Sequence, residues 1–107
     1  MAEPSTNVPL GNVTVETAKQ LLKTESPPIV LDVRTAKEFA EGHIEGAKNI
    51  DVKAENFKEL ASKLKKDAAY LIHCKSGGRS AKALKILTDL GFTKMYHMHE
   101  GYLAWTP

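Results

Sequence analysis

The 107-residue chain has a single cysteine, Cys74. It can therefore form neither an intramolecular disulfide nor a metal cluster built on several thiolates. It also lacks an apolar run approaching the roughly 18 residues that suggest a membrane span. Its first residues, MAEPSTNVPLG, contain no charged segment followed by an apolar run, so no signal peptide is predicted. An unpaired thiol in a chain without an export signal predicts a reducing compartment, the cytoplasm, and no membrane association.

An excess of charge of one sign is also missing. The 15 basic residues are interspersed with 13 acidic ones, which gives a net charge of +2. The densest basic pair, Lys65-Lys66, is typical of the solvated end of a helix. We expect no nucleic-acid partner, because proteins that bind nucleic acids concentrate Lys and Arg on one face.

The length is sufficient for one domain. Pro4 and Pro9 lie in a polar stretch, so residues 1–11 are predicted to be a flexible lead-in and residues 12–107 the domain. Helical and strand patterns alternate within that domain. Predicted strands cover residues 29–33, 47–50, 69–73 and 94–98, and helices follow Thr14, Thr35, Asn56 and the region of Ser80. This alternation predicts an α/β fold, with a central parallel sheet of about five strands and helices on both faces.

Three charged residues near the second helix have structural explanations. Thr35-Ala36-Lys37-Glu38 matches a capping box, in which Glu38 supports the start of the helix. Asp32 and Arg34 can form an ion pair that fixes neighbouring loops. We therefore predict that Asp32, Arg34 and Glu38 support the structure rather than act as acid–base groups.

The stretch HCKSGGRS, residues 73–80, lies between a predicted buried strand and a helix. Ligands of parallel sheets bind at the carboxyl ends of strands, which is where Cys74 stands. Gly77 and Gly78 allow positive φ angles that turn backbone N–H groups inward. The helix N-terminus, Lys75 and Arg79 add positive charge. Cys74 is therefore predicted to be an easily ionised nucleophile rather than an inert core cysteine.

The four histidines give a weaker signal. His73 lies on the strand and points to the face opposite Cys74, so we predict a structural role for it. His43, His97 and His99 are too scattered along the chain to predict a metal site.

Three segments resemble signatures of the single-domain rhodanese family, the thiosulfate sulfurtransferases. CKSGGRS resembles the active-site loop C-x-x-G-x-R-S, and GYLAW resembles the closing G-x-x-x-W. LDVRTAKEFAEGHIEGAKNID resembles D-V-R-x-x-x-E-F-x-x-G-H-I-x-G-A-x-N-I. Together these segments extend from about Asp32 to Trp105. One departure is Glu100 before Gly101, where family members often have two glycines; we expect it to alter a turn or the pocket rim without touching the loop.

The resemblance implies that a sulfane sulfur is transferred through a persulfide on Cys74. The thiolate would attack the outer sulfur of thiosulfate and release sulfite, and cyanide, a cellular thiol or an acceptor protein would then take the sulfur. No cofactor or metal is implied. The loop residues that would surround donor and persulfide are Lys75, Ser76, Gly77, Gly78, Arg79 and Ser80. Lys75 and Arg79 either bind the dianionic donor or have a simpler role, facing solvent or bracing the loop.

Two other functions compete with this interpretation. Phosphatases and arsenate reductases on the same fold have five residues between cysteine and arginine, whereas four intervene between Cys74 and Arg79. The shorter loop predicts a smaller cradle, suited to one sulfur atom on the cysteine. The other alternative is a non-catalytic interaction module, but the chain has kept Cys74 in an intact loop.

Overall fold

The computed structural model describes residues 10–105. Residues 1–9 of the predicted lead-in, and residues 106–107, lie outside this part of the chain. Strands and helices alternate along it. The strands are β1 Gly11–Val13, β2 Ile29–Asp32, β3 Lys48–Asn49, β4 Tyr70–His73 and β5 Met95–Met98. The helices are α1 Val15–Leu21, α2 Ala36–Glu41, α3 Phe57–Ser62, α4 Gly78–Asp89 and α5 Tyr102–Trp105.

The strands form one five-stranded sheet in the order β1-β5-β4-β2-β3, with every pairing parallel. The predicted α/β class and parallel sheet are confirmed. The sequence patterns did not locate β1, which is three residues long and buries only Val13. It begins at Gly11, within the predicted lead-in, by pairing with Tyr96 of β5. The boundary between residues 1–11 and 12–107 remains a prediction.

Side chains along the buried strands alternate between the two faces of the sheet, as expected for a period of two. On one face, Leu31, Ile72 and Cys74 pack with residues of α3 and α4. On the other face, Val30 and Leu71 pack with residues of α1 and α5. Helices thus cover both faces, which confirms the predicted arrangement. No helix within residues 10–105 is long and apolar enough to cross a membrane.

The helices near the loop begin in different ways. Thr14 and Thr35 cap α1 and α2 with their side chains, and Thr35 forms the predicted capping box with Glu38. In contrast, α4 begins at Gly78, two residues before the predicted start at Ser80, and has no side-chain cap. Its first N–H groups therefore remain available to the loop that precedes it.

The register of β2 and β4 brings two functional segments to one edge of the sheet. Asp32 pairs with His73, and the Val33 N–H donates to the His73 carbonyl oxygen at 3.0 Å. The residues that follow β2 are therefore adjacent to Cys74, which follows β4. This edge is the carboxyl end of the strands, where the sequence predicts the site.

Candidate active site

Backbone hydrogen bonds from α5 set the conformation around Cys74. The Tyr102 N–H donates to the Cys74 carbonyl oxygen at 2.8 Å, and the Leu103 N–H donates to the Lys75 carbonyl oxygen at 3.1 Å. The C=O and N–H groups of a trans peptide unit point in opposite directions. Since the Lys75 carbonyl faces α5, the N–H of Ser76 faces the other way, toward the sulfur.

Gly77 brings a second N–H group to the sulfur. Its φ angle is +104°, and its N–H lies 3.0 Å from Cys74 Sγ. A Cβ at this position would collide with the backbone carbonyl oxygen of His99. Gly78, which was also expected to allow a positive φ, does not adopt one, because it is the first residue of α4; a Cβ there would meet no other atom within 4 Å.

The turn before α5 approaches the loop closely. Gly101 has a φ of +79°, and a Cβ there would collide with the backbone of Lys75 and Ser76. Its neighbour Glu100, the departure from the family pattern, is directed elsewhere. The Glu100 carboxylate accepts a hydrogen bond from the Val15 N–H at 2.7 Å, so it stabilises the start of α1.

The pKa of Cys74 is lowered by neutral donors. Burial raises it, since the residue is only 1% exposed, but several hydrogen bonds outweigh this effect. They come from the Ser80 hydroxyl and from the backbone N–H groups of Ser80, Gly77 and Ser76. The pKa of the Cys74 thiol therefore lies below its ordinary value, which increases the thiolate fraction at neutral pH.

Arg79 contributes less to the lowered pKa of Cys74 than the sequence suggested, because it is paired with a carboxylate. Its two terminal nitrogens donate to the Glu38 carboxylate at 2.7 and 3.1 Å. This geometry favours the bracing alternative for Arg79. Sequence reasoning explained Glu38 by its contact with Thr35 but missed Arg79, which is 41 residues away. Lys75 is exposed to solvent.

The predicted ion pair between Asp32 and Arg34 is present and buried. Arg34 Nη2 lies 2.7 Å from Asp32 Oδ2 and donates to the Gly42 carbonyl oxygen at 2.7 Å. The guanidinium also lies 4.3 Å from the centre of the Tyr102 ring. Arg34 thus connects the end of β2 with the end of α2 and with α5.

His73 lies where the sequence predicts it, on the face of the sheet opposite Cys74. It is fully buried, and its ring stacks near that of Tyr102. Nδ1 lies 3.0 Å from the Cys74 carbonyl oxygen. Burial lowers the pKa of His73, so it contacts the loop as a neutral ring.

Sequence reasoning missed a polar chain that begins at the sulfur. Ser80 Oγ lies 3.3 Å from Cys74 Sγ and 2.7 Å from His97 Nε2, while His97 Nδ1 lies 3.1 Å from Asn12 Oδ1. No local signal identifies this chain, because its members lie on β1, β5 and α4. Within residues 10–105, no group of three or more His, Cys, Asp or Glu side chains could hold a metal ion.

An open cleft of about 310 Å³ lies beside the loop. Its lining includes the ion-paired Arg34 and Glu38, the exposed Lys75 and the side chains of α5; the full set is Arg34, Glu38, Glu41, Gly42, Lys75, Tyr102 and Leu103. A small charged molecule in this cleft would be adjacent to the loop that carries the thiol.

Comparisons with known proteins identify the family. The sequence matches the Rhodanese-like domain family over residues 14–107. It is 40% identical to Thiosulfate sulfurtransferase 18 of Arabidopsis thaliana, over 88% of this chain and 76% of that protein. It is 34% identical to the mitochondrial Protein HIGH ARSENIC CONTENT 1 of the same plant, over 96% of this chain and 66% of that protein. The chain thus spans just under two thirds of the latter.

A solved structure supports the same assignment. The crystal structure of a rhodanese-like domain protein from Staphylococcus aureus superposes with a TM-score of 0.80 and 30% sequence identity, covering 90% of this chain and 91% of that one. The chain therefore belongs to the family of rhodanese-like domains, as the three sequence signatures predict.

The two glycines of the loop provide a matched test of its geometry. Gly77→Ala should destabilise the fold by about 1–3 kcal/mol, because the alanine would adopt a positive φ and meet the His99 carbonyl. It should also raise the pKa of Cys74 by displacing the Gly77 N–H. Gly78→Ala, at an open helical position, should change stability by less than about 1 kcal/mol. Chemical denaturation and the pH dependence of thiol alkylation measure both effects, and equal effects of the two substitutions would contradict the geometry.

The ion pair of Glu38 predicts a pH-dependent contribution to stability. Hydrogen bonding to Arg79 lowers the pKa of Glu38 from 4.5 to about 2, assisted by the contacts with Thr35. Because the folded-state pKa is lowered, the contribution is complete above pH 4.5 and is lost as the pH falls through about 2. Glu38→Gln, which can retain the capping box, should cost about 0.5–1 kcal/mol at pH 7.

Urea denaturation at several pH values measures this difference. Glu41→Gln, on the same helix at an exposed position, is the matched control and should show no comparable loss. A Glu38→Gln deficit that stays constant down to pH 2 would show that the ion pair is not its source.

Proposed function

We propose that this protein is a sulfurtransferase that carries a sulfane sulfur as a persulfide on Cys74. Membership of the rhodanese-like family and relatives named thiosulfate sulfurtransferases support the activity. The observation that carries the assignment to Cys74 is the set of hydrogen bonds that surround Sγ. Donors from Gly77 and Ser80 lie 3.0 and 3.3 Å from the sulfur.

Loading of the sulfur is a displacement at the donor. The Cys74 thiolate supplies an electron pair to the outer sulfur of thiosulfate, and a new S–S bond forms. The original S–S bond of thiosulfate breaks, and its electrons leave with sulfite. The loop donors that stabilise the thiolate can then hold the negatively charged persulfide.

Unloading regenerates the thiolate. A nucleophilic acceptor such as cyanide, a cellular thiol or a protein thiol attacks the outer sulfur, and Cys74 leaves as a thiolate. Each cycle starts from Cys74 as a free thiolate rather than in a disulfide, which supports a reducing compartment such as the cytoplasm. No cofactor enters this scheme.

Lys75 is the cation best placed to attract a dianionic donor. It is exposed at the cleft, whereas Arg79 is already held by Glu38. Electrostatic attraction at this position would increase the local concentration of donor without fixing its orientation. Arg79 would act mainly by holding the first turn of α4 in place.

The length of the loop argues against a phosphatase. Four residues, Lys75 to Gly78, separate Cys74 from Arg79, and the described N–H donors converge on one sulfur atom. A phosphate group is larger and needs a wider ring of donors around its oxygens. The intact thiol and its donors also argue against a purely non-catalytic module.

Treatment with thiosulfate should add one sulfur atom to the protein. Intact mass spectrometry should detect the gain, and cyanide or a reductant should remove it. Cys74→Ser is the control, since serine forms no persulfide; the same gain on that variant would contradict the role of Cys74. A wild-type protein that gains no sulfur would contradict loading from thiosulfate.

Insertion of one glycine between Gly77 and Gly78 should reduce sulfur transfer by about 100-fold. The reason is that the lengthened loop would displace the N–H donors by about an ångström. A glycine inserted between Lys66 and Asp67, in the turn before β4 at the opposite end of that strand from Cys74, is the matched control. Thiosulfate:cyanide turnover measures the difference after circular dichroism shows that both variants are folded. Full thiosulfate:cyanide turnover in the variant with the lengthened loop would mean that loop length does not determine which reaction the site performs.

A further inference from the structure

The hydroxyl of Ser80 is shared among three acceptors. Its Oγ lies 3.3 Å from Cys74 Sγ, 3.2 Å from the Gly77 carbonyl oxygen and 2.7 Å from His97 Nε2. Ser80 and His97 are both buried, with 0% and 6% of their surface exposed. A hydroxyl has one proton, so it donates fully to one acceptor at a time. Which acceptor receives this proton therefore affects how well Ser80 stabilises a thiolate on Cys74.

The second nitrogen of His97 indicates which acceptor Ser80 serves. Nδ1 lies 3.1 Å from Asn12 Oδ1, an oxygen that only accepts hydrogen bonds, so Nδ1 carries a proton. A neutral His97 then has its lone pair on Nε2 and accepts the proton of Ser80. A protonated His97 donates from Nε2 to Ser80 Oγ instead, and the hydroxyl proton is free to turn to Cys74 Sγ.

We propose that His97 is a positioning residue that controls the ionisation of Cys74 through the hydroxyl of Ser80. When the thiol ionises, its proton passes from Sγ to Ser80 Oγ while the original hydroxyl proton passes to His97 Nε2. One S–H bond breaks and one N–H bond forms, and no electrons are transferred. The resulting thiolate accepts a hydrogen bond from Ser80, and Asn12 and Ser80 hold the imidazolium.

The surroundings of His97 are compatible with a proton acceptor. Asn12 from β1 and Ser80 from α4 contact its nitrogens, and Cys74 at the end of β4 lies behind Ser80. The ring of His99, just after β5, lies 6.4 Å away. Burial, and to a lesser extent the charge of His99, lower the pKa of His97. The imidazole is therefore neutral at pH 7, with its lone pair available to Ser80. Because the same lowering disfavours the imidazolium, proton transfer depends on the attraction between the imidazolium and the thiolate that forms.

This inference rests on the proposed function, because it concerns the thiolate that accepts and releases sulfur. By linkage, an imidazolium at His97 lowers the pKa of Cys74, and a thiolate raises that of His97. A better-stabilised thiolate is also a better leaving group when the acceptor removes sulfur from the persulfide. His97 would thus assist both formation of the thiolate and its departure.

Asn12→Asp tests the coupling between His97 and Cys74 from the exposed end of the polar chain. The carboxylate would face His97 Nδ1–H and should raise the pKa of His97 by about one unit. If Ser80 transmits this change, the pKa of Cys74 falls and its alkylation by iodoacetamide should become about threefold faster. The rate is measured one pH unit below the midpoint of the wild-type alkylation curve. Titration by NMR gives the pKa of His97, and the exposed His43, bound to the Phe39 carbonyl, is the internal control that should not change.

The sign of the change separates this coupling from a simple charge effect. Acting through space alone, an added carboxylate disfavours a thiolate and slows alkylation. A rate that is unchanged or lower, despite a raised pKa of His97, would overturn the proposal. A His97 pKa that does not rise would also overturn it, because the Asn12 contact would then be absent.

A second pair of variants tests the role of the hydroxyl. In a Ser80→Ala background, Asn12→Asp should no longer accelerate alkylation, whereas Ser80→Thr keeps a hydroxyl and should preserve the acceleration. Equal acceleration in the alanine background would show that Ser80 does not carry the coupling. Alkylation does not depend on sulfur transfer, so failure of the proposed function would appear separately, as the absence of a sulfur mass gain on Cys74.

Discussion

The hydrogen bonds between the start of α5 and the carbonyl groups of Cys74 and Lys75 are the constraint on which the site depends. They turn both carbonyl oxygens toward α5, and in the peptide unit between Lys75 and Ser76 this directs the Ser76 N–H to the sulfur. Gly101 makes the close approach possible, because a side chain there would collide with the loop backbone. The segment that contains Gly101 and α5 is therefore part of the candidate active site. It acts through its backbone, since none of its side chains forms a described hydrogen bond to Sγ.

The charged residues of the D-V-R-x-x-x-E segment form the frame around this loop. Asp32 orients Arg34, which holds the end of α2 and stacks on Tyr102. Glu38 holds Arg79 at the start of α4. These pairs leave the environment of the thiol dominated by neutral hydrogen-bond donors rather than by free cations. The arrangement suits the proposed function, in which the site would stabilise a thiolate and a persulfide in turn, since fixed donors need little reorganisation between the two.

The polar chain that begins at Cys74 places His97, the proposed proton acceptor, two hydrogen bonds from the buried thiol. Ser80 and His97 are buried, whereas Asn12 is exposed on the edge strand β1. The order of strands makes this possible, because β5 lies between β1 and β4. A side chain on β5 can therefore contact Asn12 on one side and Ser80 of α4 on the other.

The sequence alone was sufficient to predict the parallel α/β fold, the capping box at Thr35 and the position of Cys74 at a strand end. Each of these depends on residues close together in the chain, where periodicity and local hydrogen bonding dominate. It was not sufficient for β1 and α5, whose three and four residues are too few to show a period. The Gly78 prediction failed because a glycine pair does not itself show which member adopts the positive φ.

Tertiary structure alone decided the partners of the loop. Arg79 meets Glu38 across 41 residues, and His97 meets Asn12 across 85. Such contacts depend on which strands become neighbours and on the side of the sheet that each helix covers. No local pattern contains this information. The sequence therefore determined where the thiol lies, at the end of a buried strand, and the packing of β1, β5, α2 and α5 around it decided which groups surround it.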